Sequence, residues 1–308
     1  ITMRTIDAQE RSILPSAAQK RTKTRIVILM LLSIGTMINY LDRTILGIVA
    51  PKLTSEIHID PAMMGIVFSA FAWTYALAQI PGGMFLDRFG NKLTYALAIF
   101  FWSTFTLLQS FSVGLKSLLL LRLGLGISEA PCFPVNSRVV SKWFPQHERA
   151  RATATYTVGE YIGLAAFSPL LFLILEHHGW RTLFILTGGL GIAFTFVWWK
   201  FYHEPHQSKT ANKAELEYIG VENTAAANEN IPFNWPDAKR LLCCRQIIGA
   251  SLGQFAGNTT LVFFLTWFPT YLANERHLPW LHVGFFASWP FLAAAIGIFF
   301  GGWASDKI

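Results

Sequence analysis

Apolar residues run through this chain in long blocks instead of alternating with polar ones. Eight blocks reach the roughly 20 mostly apolar residues that a bilayer-spanning helix needs: about 25–50, 62–86, 93–112, 117–141, 150–175, 181–203, 246–273 and 281–304. None shows the strict alternation of a membrane-barrel strand, so the period predicts helices throughout. The joining segments are short, with one exception. Residues 204–244 are polar, with Asn-rich and acidic runs, and part six blocks from the last two. Within them KAELEY, Lys213 to Tyr218, predicts a short surface helix. The pattern therefore predicts an all-α polytopic membrane protein. Its parts are an amino-terminal segment 1–24, a six-helix bundle 25–203, a linker 204–244 and two helices of a second bundle at 245–308.

Composition agrees. Of the 308 residues 53% are hydrophobic and 14% charged, against roughly 25% charged in soluble domains. The net charge of +7 and pI of about 9.4 could point to nucleic acid, but position points elsewhere. With the amino terminus taken as cytoplasmic, 19 of the 25 Lys and Arg fall on that side and four on the other, Lys52, Lys116, Arg181 and Arg276. That is the positive-inside asymmetry, so the basicity is topological and no nucleic-acid partner is expected. Residues 1–24 lack the apolar core and cleavage site of a signal peptide, which leaves the first helix as its own insertion signal. Cys132, Cys243 and Cys244 have no metal-ligand spacing and are expected as free thiols; no metal or cofactor is expected.

The two remaining arginines lie within the blocks, as do three acids: Asp42 and Arg43 in the first, Arg122 and Glu129 in the fourth, Glu160 in the fifth. A charge at bilayer depth costs about 2.5–3.5 kcal/mol, so it persists mainly where it has a partner and a task. This implies a carrier of a charged solute. Arg122 and Glu129, seven residues apart, differ by about 20° on a helix and share a face two turns apart. They can line one cavity, or form a structural pair that locks helices. Tyr40 and Arg43, three apart, point in similar directions, whereas Asp42 projects about 100° away from Arg43. Arg43 carries the planar fork suited to a carboxylate, or snorkels to an interface. Tyr75 in the second block is a further candidate, with a packed aromatic as the plainer reading. Gln79, Asn136 and Asn258 could meet hydroxyls or join helices, and His177 and His178 fall at an outer loop.

A repeat adds to this. GGMFLDRFGNK at 82–92 and GGWASDK at 301–307 both read Gly-Gly, a nearby aromatic, then Asp followed closely by a base. Gly82 and Gly83 allow close helix approach, Asp87 can cap or pair with a neighbouring helix end, and Arg88 and Lys92 suit an anionic inner surface. Such spacing marks a carrier of two six-helix halves. On that reading the sequence stops about four helices before the second half is complete, and a partial chain is expected.

With GGMFLDRFGNK, five further stretches carry a resemblance: NYLDRT at 39–44, FSAFAWTYALAQIPGG at 68–83, RLGLGISEAPCFPVNSR at 122–138, WFPQHERARA at 143–152 and FFLTWFPTYL at 263–272. Together the chain resembles the major facilitator superfamily from about residue 25 to 308. Within it, it is similar to the anion:cation symporter family and its bacterial sugar-acid carriers for galactonate, glucarate and galactarate. The resemblance implies proton-coupled symport of a small anionic sugar acid by a monomer in the bacterial inner membrane. It makes Gly83, Asp87, Arg88, Gly90 and Lys92 the conformational loop motif. It implies that Glu129 takes a proton with Arg122 as its charge partner, that Asp42 is the second proton site, and that Arg43, Tyr40 and Tyr75 hold the substrate.

Glu160 departs from the pattern, since the resembling galactonate carriers have a neutral amide there. With all three acids ionised the five groups sum to −1. Protonating Asp42 and Glu129 gives +1, which suits a monoanion. Protonating Glu160 as well gives +2, which suits a dianion such as a hexarate. Other readings stay open: an exchanger or sodium-coupled carrier of organic or phosphate anions on the same fold, or a sugar-acid sensor. Gly159 and Gly163 without the fuller Gly-Pro-Gly-Gly run of antiporters favour symport over exchange. No His-rich cluster, phosphate loop or paired catalytic carboxylates support an enzyme.

Overall fold

The computed structural model describes residues 21–220 and 235–305, and these are helical with short connections. In chain order the helices are α1 (Thr24–Ile57), α2 (Pro61–Gln109), α3 (Leu115–Glu129), α4 (Cys132–Trp143), α5 (Gln146–Phe201), α6 (Lys213–Ile219), α7 (Trp235–Leu242), α8 (Arg245–Thr266), α9 (Phe268–Asn274) and α10 (Trp280–Ser305). Most of the amino-terminal segment, the linker stretch 221–234, and Asp306 and Lys307 of the second Gly-Gly motif lie outside the described residues.

Among the described residues six stretches are long and apolar enough to cross a membrane, and two of them are double. An unbroken α2 of 49 residues or α5 of 56 would run about 70–85 Å at 1.5 Å per residue, far more than the ~30 Å hydrocarbon layer. Each is interrupted at a glycine with positive φ, Gly90 (φ 76°, ψ 174°) and Gly179 (φ 76°, ψ 171°). Only glycine takes that conformation without a Cβ clash, so the chain turns there and eight passes result, matching the eight apolar blocks. The boundaries differ in detail. α1 continues through Pro51 to Ile57. The fourth block is jointed between α3 and α4, where Pro131 and Pro134 supply no backbone N–H to the helix ladder. The seventh is jointed at Trp267, just before Pro269.

Two apolar clusters are stacked along α1. One gathers Ile28, Leu32 and Ile38 with Tyr95, Trp102, Val139, Trp143 and Trp198. The other gathers Leu41 to Leu53 with Val67, Phe172, Trp180 and Phe184. Asp42 and Arg43 of α1 fall at the junction between them, near the middle of the helix.

The first cluster's end of α1 is capped from far away. Its N-cap residue, Lys23, has no side-chain acceptor to offer the first-turn amides. The buried carboxylate of Glu215 in α6 takes that role, accepting from the backbone N–H of Thr24 (3.2 Å) and Arg25 (3.1 Å) and from the Thr22 hydroxyl. The helix predicted at KAELEY thus exists, but it is a docked strap whose acid is buried. Beside it Tyr218 lies under the guanidiniums of Arg21 and Arg25, at 3.9 and 4.6 Å, and donates to Glu148 (2.7 Å). At the other end of α1, Lys52 Nζ donates to the Leu175 carbonyl (2.9 Å), and Trp180 Nε1 donates to Glu56 (2.7 Å). α10 packs along α5, with Gly284 against Pro169 and Phe172.

Candidate functional site

Helices α1, α2, α3 and α5 each bring chemistry to the junction of the two clusters. From α1, Arg43 Nε donates to Glu129 Oε1 of α3. The Arg43 guanidinium carbon lies 4.8 Å from the centre of the Tyr40 ring, 4.7 Å from Tyr75 and 5.1 Å from Phe71. Arg122, two turns before Glu129 on α3, makes no ion pair among the described residues; its guanidinium carbon stands 5.1 Å from the same Phe71 ring. The direct ion pair of Glu129 is therefore with Arg43, while Arg122, the partner that the resemblance implied, acts on it at longer range. Periodicity places Arg122 and Glu129 on one face, yet two turns leave them too far apart for a direct bond, while α1 presents Arg43 beside Glu129.

Among the described residues, four atoms here are buried without a hydrogen-bond partner: Nη2 of Arg43, Nε and Nη1 of Arg122 and Oε2 of Glu129. Native proteins leave few such groups, because each costs about 1–3 kcal/mol and more when charged. Three guanidinium donors near one ring are the chemistry that an anion with several acceptor oxygens would need.

Asp42 makes no ion pair with this group, although it feels the charges of Glu129 and Arg122. It is buried, and the polar groups it faces are Trp102 and Thr106 of α2 and Thr187 of α5, but neither carboxyl oxygen has a hydrogen-bond partner. The 100° offset along α1 thus separates it from Arg43. Glu160, buried on α5, has the Tyr40 hydroxyl and Arg43 as polar neighbours. Tyr40 packs edge-on against Phe133 of α4 (6.2 Å).

Gly126 accounts for the approach of α3. It lies between Arg122 and Glu129, and a Cβ there would overlap the Thr74 hydroxyl and stand 2.6 Å from the Phe71 carbonyl oxygen. The absent side chain lets α3 lie directly on α2 at Phe71–Tyr75. Phe71 and Gly126 were invisible as site residues in the sequence. The one available signal was that Phe71 and Tyr75 are four apart and so share a helix face; their rings stack at 5.5 Å.

Of the other candidates, Asn136 donates to Thr36 (3.0 Å) and joins α4 to α1, Gln254 donates to Asn258 within α8, and His177 and His178 are exposed. In the loop motif Asp87 pairs with Arg138 of α4 (2.8 Å), and the Lys92 carbonyl accepts from Trp198 Nε1 (3.1 Å). Arg88 and Lys92 lie over the rings of Phe89 and Trp199. Gly82 packs against Pro131, whereas Gly83 has no neighbour that a Cβ would meet. The three cysteines are free.

Residues 32–308 match the family model described as Major Facilitator Superfamily. The chain belongs to that superfamily. It is 46% identical to the D-galactonate transporter of Escherichia coli O6:H1, with 96% of this chain and 70% of the relative covered. It is 42% identical to the probable galactarate/D-glucarate transporter GudP of Escherichia coli K12, with 94% and 68% covered. The chain thus spans about two thirds of the length of these curated relatives. Among solved structures it resembles a bacterial homolog of the human lysosomal transporter Spinster in an inward-facing, unoccupied conformation. That match has a TM-score of 0.71 and 22% identity, and covers 93% of this chain and 63% of the other. A D-xylose–proton symporter matches with a TM-score of 0.65 at 13% identity, over 91% and 69%. At these identities the solved structures establish the fold: the chain is an all-helical, multi-pass membrane protein of the major facilitator type.

Proposed function

We propose that this protein takes up a sugar-acid anion together with protons, by alternating access around the Arg43–Glu129 site. The observation that carries the reading is that a buried carboxylate, Glu129, engages Nε of the guanidinium that a substrate carboxylate would use. Protonating Glu129 removes its claim on Arg43 and leaves a net positive site whose unpaired nitrogens receive the anion. Anion and proton then each make the other's burial less costly, which is the thermodynamic content of coupling. Asp42, whose carboxylate makes no ion pair among the described residues, is the second proton site. Tyr40 and Tyr75 flank Arg43 and offer hydroxyls to the sugar, and Glu160 accepts from sugar hydroxyls or titrates.

The substrate class rests on the relatives' names, galactonate and galactarate/D-glucarate, and on a site built for carboxylate and hydroxyl groups together. The working topology divides the chain into the bundle 25–203, the linker 204–244 and part of a second bundle at 245–308. The charge asymmetry supports a cytoplasmic amino terminus. The buried acids favour proton coupling over anion exchange. In proteoliposomes, labelled galactonate, glucarate or galactarate should accumulate only under an inward proton gradient, and addition of substrate should alkalinise the outer medium. Uptake that is indifferent to the gradient but accelerated by internal anion would establish exchange instead.

A further inference from the structure

Phe71 meets both guanidinium groups of the site, one from α1 and one from α3, while sitting itself on α2. We propose that it is a positioning residue, holding Arg43 and Arg122 as the two jaws of a single carboxylate clamp; the inference rests on the anion-binding reading above. Both guanidinium carbons lie 5.1 Å from the Phe71 ring centre, so they are separated by at most twice that distance. Two buried like charges at such range repel one another. The negative face of an aromatic ring attracts each of them.

The choice of a ring follows from what a clamp must keep free. A carboxylate holding either arginine would occupy the N–H donors that the anion needs. A ring holds the cation by its face and takes no N–H, and the nitrogens without partners are Nη2 of Arg43 and Nε and Nη1 of Arg122. An ionised carboxylate offers about four lone-pair sites, enough to accept from both guanidiniums. Phe71 is itself fixed. Its ring stacks on Tyr75 (5.5 Å, 23°) and packs against the first apolar cluster, and Gly126 brings α3 onto its carbonyl. When Glu129 is protonated, Arg43 loses its ion pair and the rings of Tyr40, Phe71 and Tyr75 keep it aimed.

The test uses mono-, di- and trifluorophenylalanine at position 71, which weaken the ring's negative face at nearly constant shape, with Phe71→Tyr as the conservative variant and Phe71→Leu as the packing control. Two quantities are read: the rate at which phenylglyoxal labels Arg43 and Arg122 without substrate, by peptide mass spectrometry, and the Kd for galactonate and glucarate. Labelling of both arginines should rise stepwise with fluorination, by about 2- to 30-fold at the trifluoro ring, with Phe71→Tyr near wild type. Sugar-acid affinity should weaken in the same order, as a rise in transport KM at preserved maximal rate. Labelling that stays flat across the fluorinated series, or that responds at one arginine alone, overturns the proposal, even if wild type binds both sugar acids and Phe71→Leu does not. Graded labelling across the series, with a wild-type protein that binds neither sugar acid, upholds the role of Phe71 and refutes the substrate reading.

Discussion

Arg43 of α1 and Glu129 of α3 form an ion pair across 86 residues of chain, through a hydrogen bond from Nε to a carboxylate that is wholly buried. Breaking such a pair by removing one partner strands the other charge, typically at about 3–5 kcal/mol. In Glu129→Gln that stranded charge is the arginine proposed to bind anion. Sugar-acid affinity at alkaline pH should therefore rise, while uphill accumulation falls. One lost co-transported proton at a driving force of about 100 mV is worth about 2.3 kcal/mol, or roughly fiftyfold in the accumulation ratio. Equilibrium binding across pH, beside gradient-driven uptake, measures both. Unchanged accumulation would remove Glu129 from the coupling scheme.

Asp42→Asn should separate from Glu129→Gln by one property. Because Asp42 holds no arginine, the amide should lower accumulation by a similar factor, roughly fiftyfold per proton at about 100 mV, with no gain in alkaline affinity. Its fully buried carboxyl has no hydrogen-bond partner, so thermal stability should hold or rise. The double variant Asp42→Asn with Glu129→Gln should only equilibrate its substrate. Continued uphill transport by the double variant would refute coupling through these two acids.

Glu160 next to Tyr40 bears on which sugar acid is preferred. Wild type should favour the dianions glucarate and galactarate, and Glu160→Gln, which carries the charge of the protonated acid, should keep that preference and raise it at alkaline pH by about tenfold, or ~1.4 kcal/mol. Competition for labelled substrate gives the ratio. A wild-type protein that strongly prefers galactonate overturns this.

At Gly126 the added methyl of Gly126→Ala meets the Thr74 hydroxyl and the Phe71 carbonyl. Overpacking of this kind costs about 1–3 kcal/mol, and the displaced α3 should take Arg122 and Glu129 out of register with Arg43. Both Tm and anion binding should fall. Gly83→Ala, where a Cβ meets nothing within 4 Å, should leave Tm unchanged.

Glu215→Ala removes the acceptor of the first amides of α1. Loss of a helix cap costs about 0.5–2 kcal/mol, and hydrogen exchange at Thr24 and Arg25 should quicken accordingly, with Glu215→Gln intermediate. Unaltered exchange there would mean the strap does not stabilise α1.

Helix number, the charged residues at depth and the offset of Asp42 from Arg43 could be read from the sequence, because each depends on composition or on the 3.6-residue period within one helix. The pairing of Glu129 with Arg43 depends on how α1 and α3 are rotated against each other, which no single-helix period encodes. Phe71 was hidden for a related reason: an aromatic in an apolar block looks like packing until two cations arrive from other helices. Glu215 read as a surface acid because its partners are backbone amides 190 and 191 residues away. The joints after Ala130 and at Trp267 escape a hydropathy reading, which sees apolar side chains and misses absent N–H groups.

Hydrogen bonds fasten α1 at both ends, to Glu215 at one and to Leu175 and Trp180 at the other. A helix moored twice cannot slide or swivel alone without breaking bonds at both moorings. In the proposed cycle Tyr40, Asp42 and Arg43 would then travel as passengers of their whole bundle, so that what reorients across the membrane is the wall around the anion, and the grip itself keeps its shape.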